Sequence, residues 1–187
     1  MKRVFSAIEL PADARSTVEA YARRLAEEYP ESKAKWLPAD RLHLTVRFFG
    51  NVDERALKVI NDAHKRLAAV HSRFRIAIDG TGVFPSARRP KVLWLGVSGA
   101  EELAGLKVQI DDELASVGFD HEARGFRPHL TIARLKDPPK ARELARRHLS
   151  QKFEPVVFSA ARIVVLESVQ KPTGPEYSLI ESAELIA

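Results

Sequence analysis

Two segments of this chain repeat one pattern, His43-Leu44-Thr45-Val46 and His129-Leu130-Thr131-Ile132, each inside an apolar run that alternates like a β-strand. A fold containing both must carry two histidine–threonine pairs on equivalent strands, and this restricts the architecture more than any bulk property. The repeat extends beyond four residues. Lys2-Arg3-Val4-Phe5-Ser6-Ala7-Ile8 aligns with Pro90-Lys91-Val92-Leu93-Trp94-Leu95-Gly96, and the separations from Val4 to His43 and from Val92 to His129 are nearly equal. Between these points each half carries one helical stripe, Val18, Ala22, Leu25 and Tyr29 in the first and Leu103, Leu106, Ile110, Leu114 and Val117 in the second. The chain therefore reads as two copies of strand–helix–strand within one two-lobed domain over 1–187.

The remaining elements follow from punctuation. Strands are predicted over 4–10, 42–49, 74–78, 92–97, 128–135, 153–158, 162–166 and 177–180. Pro11 stands at the first helix start, Asp53 caps a second helix with Leu57, Ile60, Ala63 and Leu67 on one face, and Gly118 closes the third. Gly50-Asn51 ends the first motif strand, and Asp79-Gly80-Thr81-Gly82 reads as a turn. Asp137-Pro138-Pro139 opens a short helix, and 171–175 reads as a turn before the last strand. Mixed helices and hairpin-spaced strands predict an α+β fold with antiparallel sheets.

Composition excludes several chemistries. With no cysteine there is no disulfide, thiolate nucleophile or thiolate metal site. No apolar run approaches the roughly 20 residues of a membrane span, and the first ten residues are too short an apolar run for a secretory signal. A soluble, cytoplasmic, monomeric protein is expected. Thirty basic against twenty-five acidic residues, net +5, favours polyanionic partners.

In a regular strand residues i and i+2 share a face. His43, Thr45 and Arg47 are thus expected to project together, with Leu44, Val46 and Phe48 pointing into the core, and His129 and Thr131 likewise, with Leu130 and Ile132 behind them. An approximate two-fold relation between the repeats brings the two faces together across a cleft. Two imidazoles with an unperturbed pKa of about 6.5 supply a base and an acid near neutrality, and two hydroxyls hydrogen-bond non-bridging oxygens. A phosphodiester with an internal leaving oxygen suits that set. A single strand histidine is ordinarily packed or solvated; two in matched contexts, each followed by threonine, point to a site. Neither motif has a His-Glu-x-x-His segment or a carboxylate cluster beside it, so neither a metal site nor a cofactor is expected.

His43-Leu44-Thr45-Val46-Arg47-Phe48-Phe49-Gly50 and Arg127-Pro128-His129-Leu130-Thr131-Ile132-Ala133-Arg134 resemble the paired signatures of the 2H phosphoesterase superfamily, and within it the RNA 2′,3′-cyclic phosphodiesterases once described as 2′-5′ RNA ligases. Lys35-Trp36-Leu37, Gly82-Val83-Phe84-Pro85, Leu166-Glu167-Ser168 and Gly174-x-x-Tyr177 extend the likeness over nearly the whole chain. The resemblance implies a bilobal fold of two pseudo-symmetric antiparallel sheets with helices on the outer faces and a central cleft. It also implies hydrolysis of RNA ends bearing a 2′,3′-cyclic phosphate, tRNA fragments among them, to 2′-phosphates. His43 would donate the proton to the leaving 3′ oxygen, His129 would be the base on water, and Thr45 and Thr131 would hold the phosphate. Two other readings keep the same site: a 2′-5′ RNA ligase, and a binding module whose histidines only contact phosphate.

The arginines are separate expectations. Parity places Arg134 away from His129 unless a bulge intervenes, whereas Arg127 shares its parity and is the better phosphate contact; Arg47 stands at the rim. Phe126 is a candidate stacking platform for a terminal base. His64, His71, His121 and His148 read as incidental, Trp36 and Trp94 as core, and Arg88-Arg89-Pro90-Lys91 as a solvated turn.

Overall fold

Apolar alternation from Lys2 onward builds a strand buried on both faces, and Pro11, with no amide proton to lose, ends it and starts the first helix. The computed structural model describes residues 1–122, 125–136, 138–172 and 174–187. In chain order these form β1 (Lys2–Glu9), α1 (Ala12–Glu28), β2 (Lys35–Trp36), β3 (His43–Val52), α2 (Glu54–Ala68), β4 (Phe74–Phe84), β5 (Val92–Ser98), α3 (Glu101–Ala115), β6 (His129–Arg134), α4 (Pro138–Ser150), β7 (Val156–Ala160), β8 (Arg162–Lys171) and β9 (Gly174–Glu184). The predicted helix opener Asp137 and the turn residue Thr173 lie outside the described residues. Asp53 caps α2 by accepting from the Ala56 amide at 2.8 Å, as its sequence position predicts.

Two antiparallel sheets result, one ordered β3-β1-β8-β9 and the other β2-β6-β5-β4-β7. The duplicated units supply equivalent pairs, β1 with β3 and β5 with β6. Thr45 faces Ala7 and Thr131 faces Trp94, so Ala7 corresponds to Trp94 and the true register differs by one residue from the sequence alignment. The helices exchange sides. α1 and α4 pack on the second sheet, whereas α2 and α3 pack on the first. Each strand–helix–strand unit thus covers the opposite lobe, and one continuous buried core draws on both sheets. A small separate apolar cluster, Phe5, Ala7 and Val164 with Leu166 and Tyr177 against it, lies on the other side of the first sheet.

The predicted turn at 79–82 and the predicted strand end at Gly50 are both β-bulges. Strand β4 runs straight through its own, with a register shift between Ile78 and Thr81 and Gly80 at φ 73°. In β3, Gly50 has the same φ, and the pairing skips Phe49. A glycine at positive φ absorbs the extra residue without ending the strand, which a reading of turn-forming residues cannot distinguish from a turn.

Two of the histidines set aside as incidental are fully buried. His148 joins three elements: its Nδ1 lies 2.9 Å from the Tyr21 hydroxyl, and its Nε2 lies 3.2 and 3.0 Å from the Gly82 and Trp94 carbonyls. His64 donates from Nδ1 to the Ile60 carbonyl at 2.7 Å, its Nε2 has no partner among the described residues, and burial pushes its pKa down to about 4. It is held neutral in the fold, while the unfolded chain protonates near 6.5. Its contribution is therefore complete above pH 6.5 and is lost as pH falls toward 4, by about 3 kcal/mol. Urea unfolding at pH 7 and pH 4.5 is expected to show a smaller acid loss in His64→Leu than in the wild type. Equal losses would contradict the assignment.

Candidate active site

Both motif strands carry a bulge directly after the threonine. In β3 the pairing passes from Thr45–Ala7 to Arg47–Ser6 and skips Val46; in β6 it passes from Thr131–Trp94 to Ala133–Leu93 and skips Ile132. Each bulge reverses strand parity beyond it. Consequently His43, Thr45 and Phe48 share a face, and so do His129, Thr131 and Arg134, while Arg47 and Ala133 are buried.

Those two faces line one cleft of about 270 Å³ between the sheets. His43, Thr45, His129 and Thr131 all open onto it, with Arg3, Arg41 and Arg134 around them and Ser168, Gln170 and Tyr177 on the β8–β9 side. Among the described residues lining it there is no carboxylate. The field inside is therefore positive, which suits an anion and offers a metal ion only imidazole ligands.

The histidines are held alike. His43 Nδ1 donates to the Arg41 carbonyl at 2.8 Å, and His129 Nδ1 donates to the Arg127 carbonyl at 2.7 Å. A carbonyl only accepts, so the proton sits on Nδ1 in the neutral rings and Nε2 is left as the atom that exchanges protons. Aromatic contacts fix each ring plane: Phe5 at 4.8 Å and Tyr177 edge-on at 4.9 Å for His43, Phe84 edge-on at 5.0 Å and Trp94 at 6.1 Å for His129. Trp94 is seated against Gly82, where a Cβ would fall 2.0 Å from the indole.

Burial pushes the His43 pKa down to about 4; the Arg41 carbonyl opposes this, and the charges of Arg134 and His129 add to it. Burial raises the Tyr177 hydroxyl, against the pull of Arg134, Arg41 and Arg3. The three arginines and His129 thus act on the same small volume that His43 and Tyr177 occupy.

Several expected positions need correction. Arg47 does not reach the rim. It is 3% exposed on the helix side of β3, its Nη1 2.6 Å from Asp111 Oδ1 of α3 and its Nη2 donating to the Asp120 carbonyl at 2.6 Å. The first contact lies off the N–H axis and is coulombic. Arg127 is exposed outside the cleft and takes part through its carbonyl only. Arg134 enters the cleft because the required bulge is there. Phe126 is half-buried against the core and is not among the residues lining the cleft, whereas Phe48, expected in the core, is 57% exposed on the cleft side because the bulge reverses its direction. A reading by strand parity also misses Arg3, Arg41 and Tyr177. A signal for Arg41 exists in the chain, since Arg-x-His-x-Thr occurs in both repeats.

A family model described as the 2′-5′ RNA ligase superfamily matches residues 10–172. The chain is 32% identical to an RNA 2′,3′-cyclic phosphodiesterase of Methanothermobacter thermautotrophicus over 96% of both chains. It is 34% identical to a protein of the same name from Aeropyrum pernix, over 78% of this chain and 83% of that one. Among solved structures, TT0787 of Thermus thermophilus superposes with a TM-score of 0.81 at 26% identity, covering 98% of this chain and 97% of that one. E. coli LigT in its apo form gives 0.76 at 22% identity over 100% and 98%, a likeness of fold. No described helix is long and apolar enough to cross a membrane.

Proposed function

Because the chain belongs to the 2′-5′ RNA ligase superfamily, we propose that it hydrolyses RNA 2′,3′-cyclic phosphate ends to 2′-phosphomonoesters, with two histidines and no metal. What carries this reading is the opening of two identically tethered imidazoles, each with a threonine two residues on, into one cationic cleft. The names of its relatives support the choice of substrate.

The chemistry follows from the proton positions. His129 Nε2 takes a proton from water as the water oxygen bonds to phosphorus. The bond from phosphorus to the 3′ oxygen breaks, and His43, protonated on Nε2, gives its proton to that oxygen. The products are a 3′ hydroxyl and a 2′ monoester, and the two imidazoles have exchanged protonation states. Thr45 and Thr131 hydrogen-bond the non-bridging oxygens, where charge gathers in the transition state. Arg134 and Arg41 hold the same charge at longer range. Burial keeps His43 neutral in the free protein, and the anionic diester brings the charge that lets it hold a second proton.

Incubation of an RNA oligonucleotide ending in a 2′,3′-cyclic phosphate with the protein in excess EDTA tests the proposal. The expected product is the 2′ monoester. Persistence of the cyclic end points to a binding module, a longer RNA joined through a 2′-5′ bond points to ligation, and turnover that EDTA abolishes refutes the metal-free mechanism.

A further inference from the structure

Behind the wall that holds His129 stands another imidazole, one that the hydrolytic chemistry does not use. His148, in the last turn of α4, is fully buried. Its Nε2 lies 3.2 Å from the Gly82 carbonyl and 3.0 Å from the Trp94 carbonyl, and its Nδ1 lies 2.9 Å from the Tyr21 hydroxyl. Burial pushes its pKa below the usual imidazole range, against the Trp94 and Gly82 carbonyls, so the ring carries one proton. Carbonyls only accept, which puts that proton on Nε2 and leaves Nδ1 to accept from Tyr21. A single N–H thus bridges β4 and β5 at two residues that face each other, Gly82 and Trp94.

The aromatic cage of His129 is rooted in that pair. The Trp94 indole lies against Gly82, where a Cβ would collide with it, and its ring reaches His129 at 6.1 Å. Phe84, two residues beyond Gly82 on β4, lies 5.1 Å from the indole and meets His129 edge-on at 5.0 Å. Trp94 also pairs with Thr131, and the bulge that aims Arg134 begins at that pair. A shift of the backbone at Gly82 or Trp94 is therefore felt by the imidazole, the hydroxyl and the arginine together. We infer that His148 is a positioning residue: by clamping Gly82 to Trp94 it fixes the direction in which His129 Nε2 points into the cleft. The inference deepens the proposed hydrolysis, in which that nitrogen takes the proton of water, and its effect on rate rests on that reading.

The two sides of the ring can be removed one at a time. In His148→Gln an amide N–H stands in for Nε2–H and the acceptor for Tyr21 is lost; in His148→Asn an acceptor stands in for Nδ1 and the donor to Gly82 and Trp94 is lost. The wild type and both variants are compared in turnover of an RNA 2′,3′-cyclic phosphate and in the ring signals of ¹³C,¹⁵N-labelled histidine, which the ring currents of Phe84 and Trp94 displace at His129. His148→Asn is expected to lower kcat by about tenfold to a hundredfold, with KM within about threefold, and to move the His129 signals. His148→Gln is expected to keep both near the wild type, whatever each substitution costs in urea midpoint. Equal kcat in the two variants, or His129 signals that stay in place in His148→Asn, overturns the inference. The signals need no substrate, so they decide the clamp even if the wild type hydrolyses no cyclic phosphate and the proposed function falls. If His148→Asn does not fold, Gly82→Ala takes its place, since its Cβ falls 2.0 Å from the indole. The signals of His129 and His148 are then expected to move together, and movement of His129 alone overturns the clamp.

Discussion

His43→Ala and His129→Ala are each expected to lower kcat on an RNA 2′,3′-cyclic phosphate by about 10²–10⁴, with the double variant scarcely slower than the worse single one. Non-additivity follows because the two rings act in one proton relay, so loss of either strands the other. Both rings are tethered at Nδ1 and packed between aromatic neighbours, so removal leaves a cavity and no unpaired charge. Circular dichroism is therefore expected to stay native. The pH dependence carries a further sign. Burial puts the His43 pKa at about 4 in the free protein. The limb that requires protonated His43 thus lies at lower pH in kcat/KM, which reports the free protein, than in kcat, which reports the complex with an anion bound. Coincident limbs, or wild-type turnover in either single variant, would rule the relay out.

The second large effect concerns Arg47 and is one of stability. Removing the guanidinium in Arg47→Ala leaves Asp111 buried beside Lys107 with one cation fewer, and breaking such a pair typically costs about 3–5 kcal/mol. Asp111 is 5% exposed, so water does not compensate for the loss. Lys107 also faces Glu122 at 3.7 Å, and Arg47 holds the Asp120 carbonyl; the cluster ties β3 to the segment that follows α3. Denaturant midpoints are expected to fall sharply, while KM in the folded fraction stays within about threefold, since the side chain is on the far side of the sheet. The opposite outcome, a wild-type midpoint with a raised KM, would return Arg47 to the phosphate.

That contrast shows what was legible in the sequence and what was not. The strand–helix–strand duplication, the antiparallel α+β class and the convergence of His43, Thr45, His129 and Thr131 all follow from periodicity and repetition, because side-chain direction is local up to the first bulge. Arg47 and Arg134 lie beyond it. A one-residue insertion in the ladder moved the first into the core and the second into the cleft, and nothing in the identities of Val46 or Ile132 announces a bulge. Gly50 and Gly80 read as turns for the same reason. Phe5 and Tyr177 reach the cleft from β1 and β9, elements whose meeting with His43 is a tertiary fact. The exchange of α1 and α3 between lobes is likewise invisible to a reading that keeps each repeat to itself.

The central claim, that two imidazoles address one phosphorus atom, is tested most directly by titrating vanadate with a 2′,3′-diol nucleoside into protein labelled with ¹⁵N-histidine. One equivalent is predicted to shift the Nε2 signals of His43 and His129 along the same isotherm, and to bring His43 from its low pKa into the protonated form. Movement of only one ring, or of the two at different ligand concentrations, would contradict it.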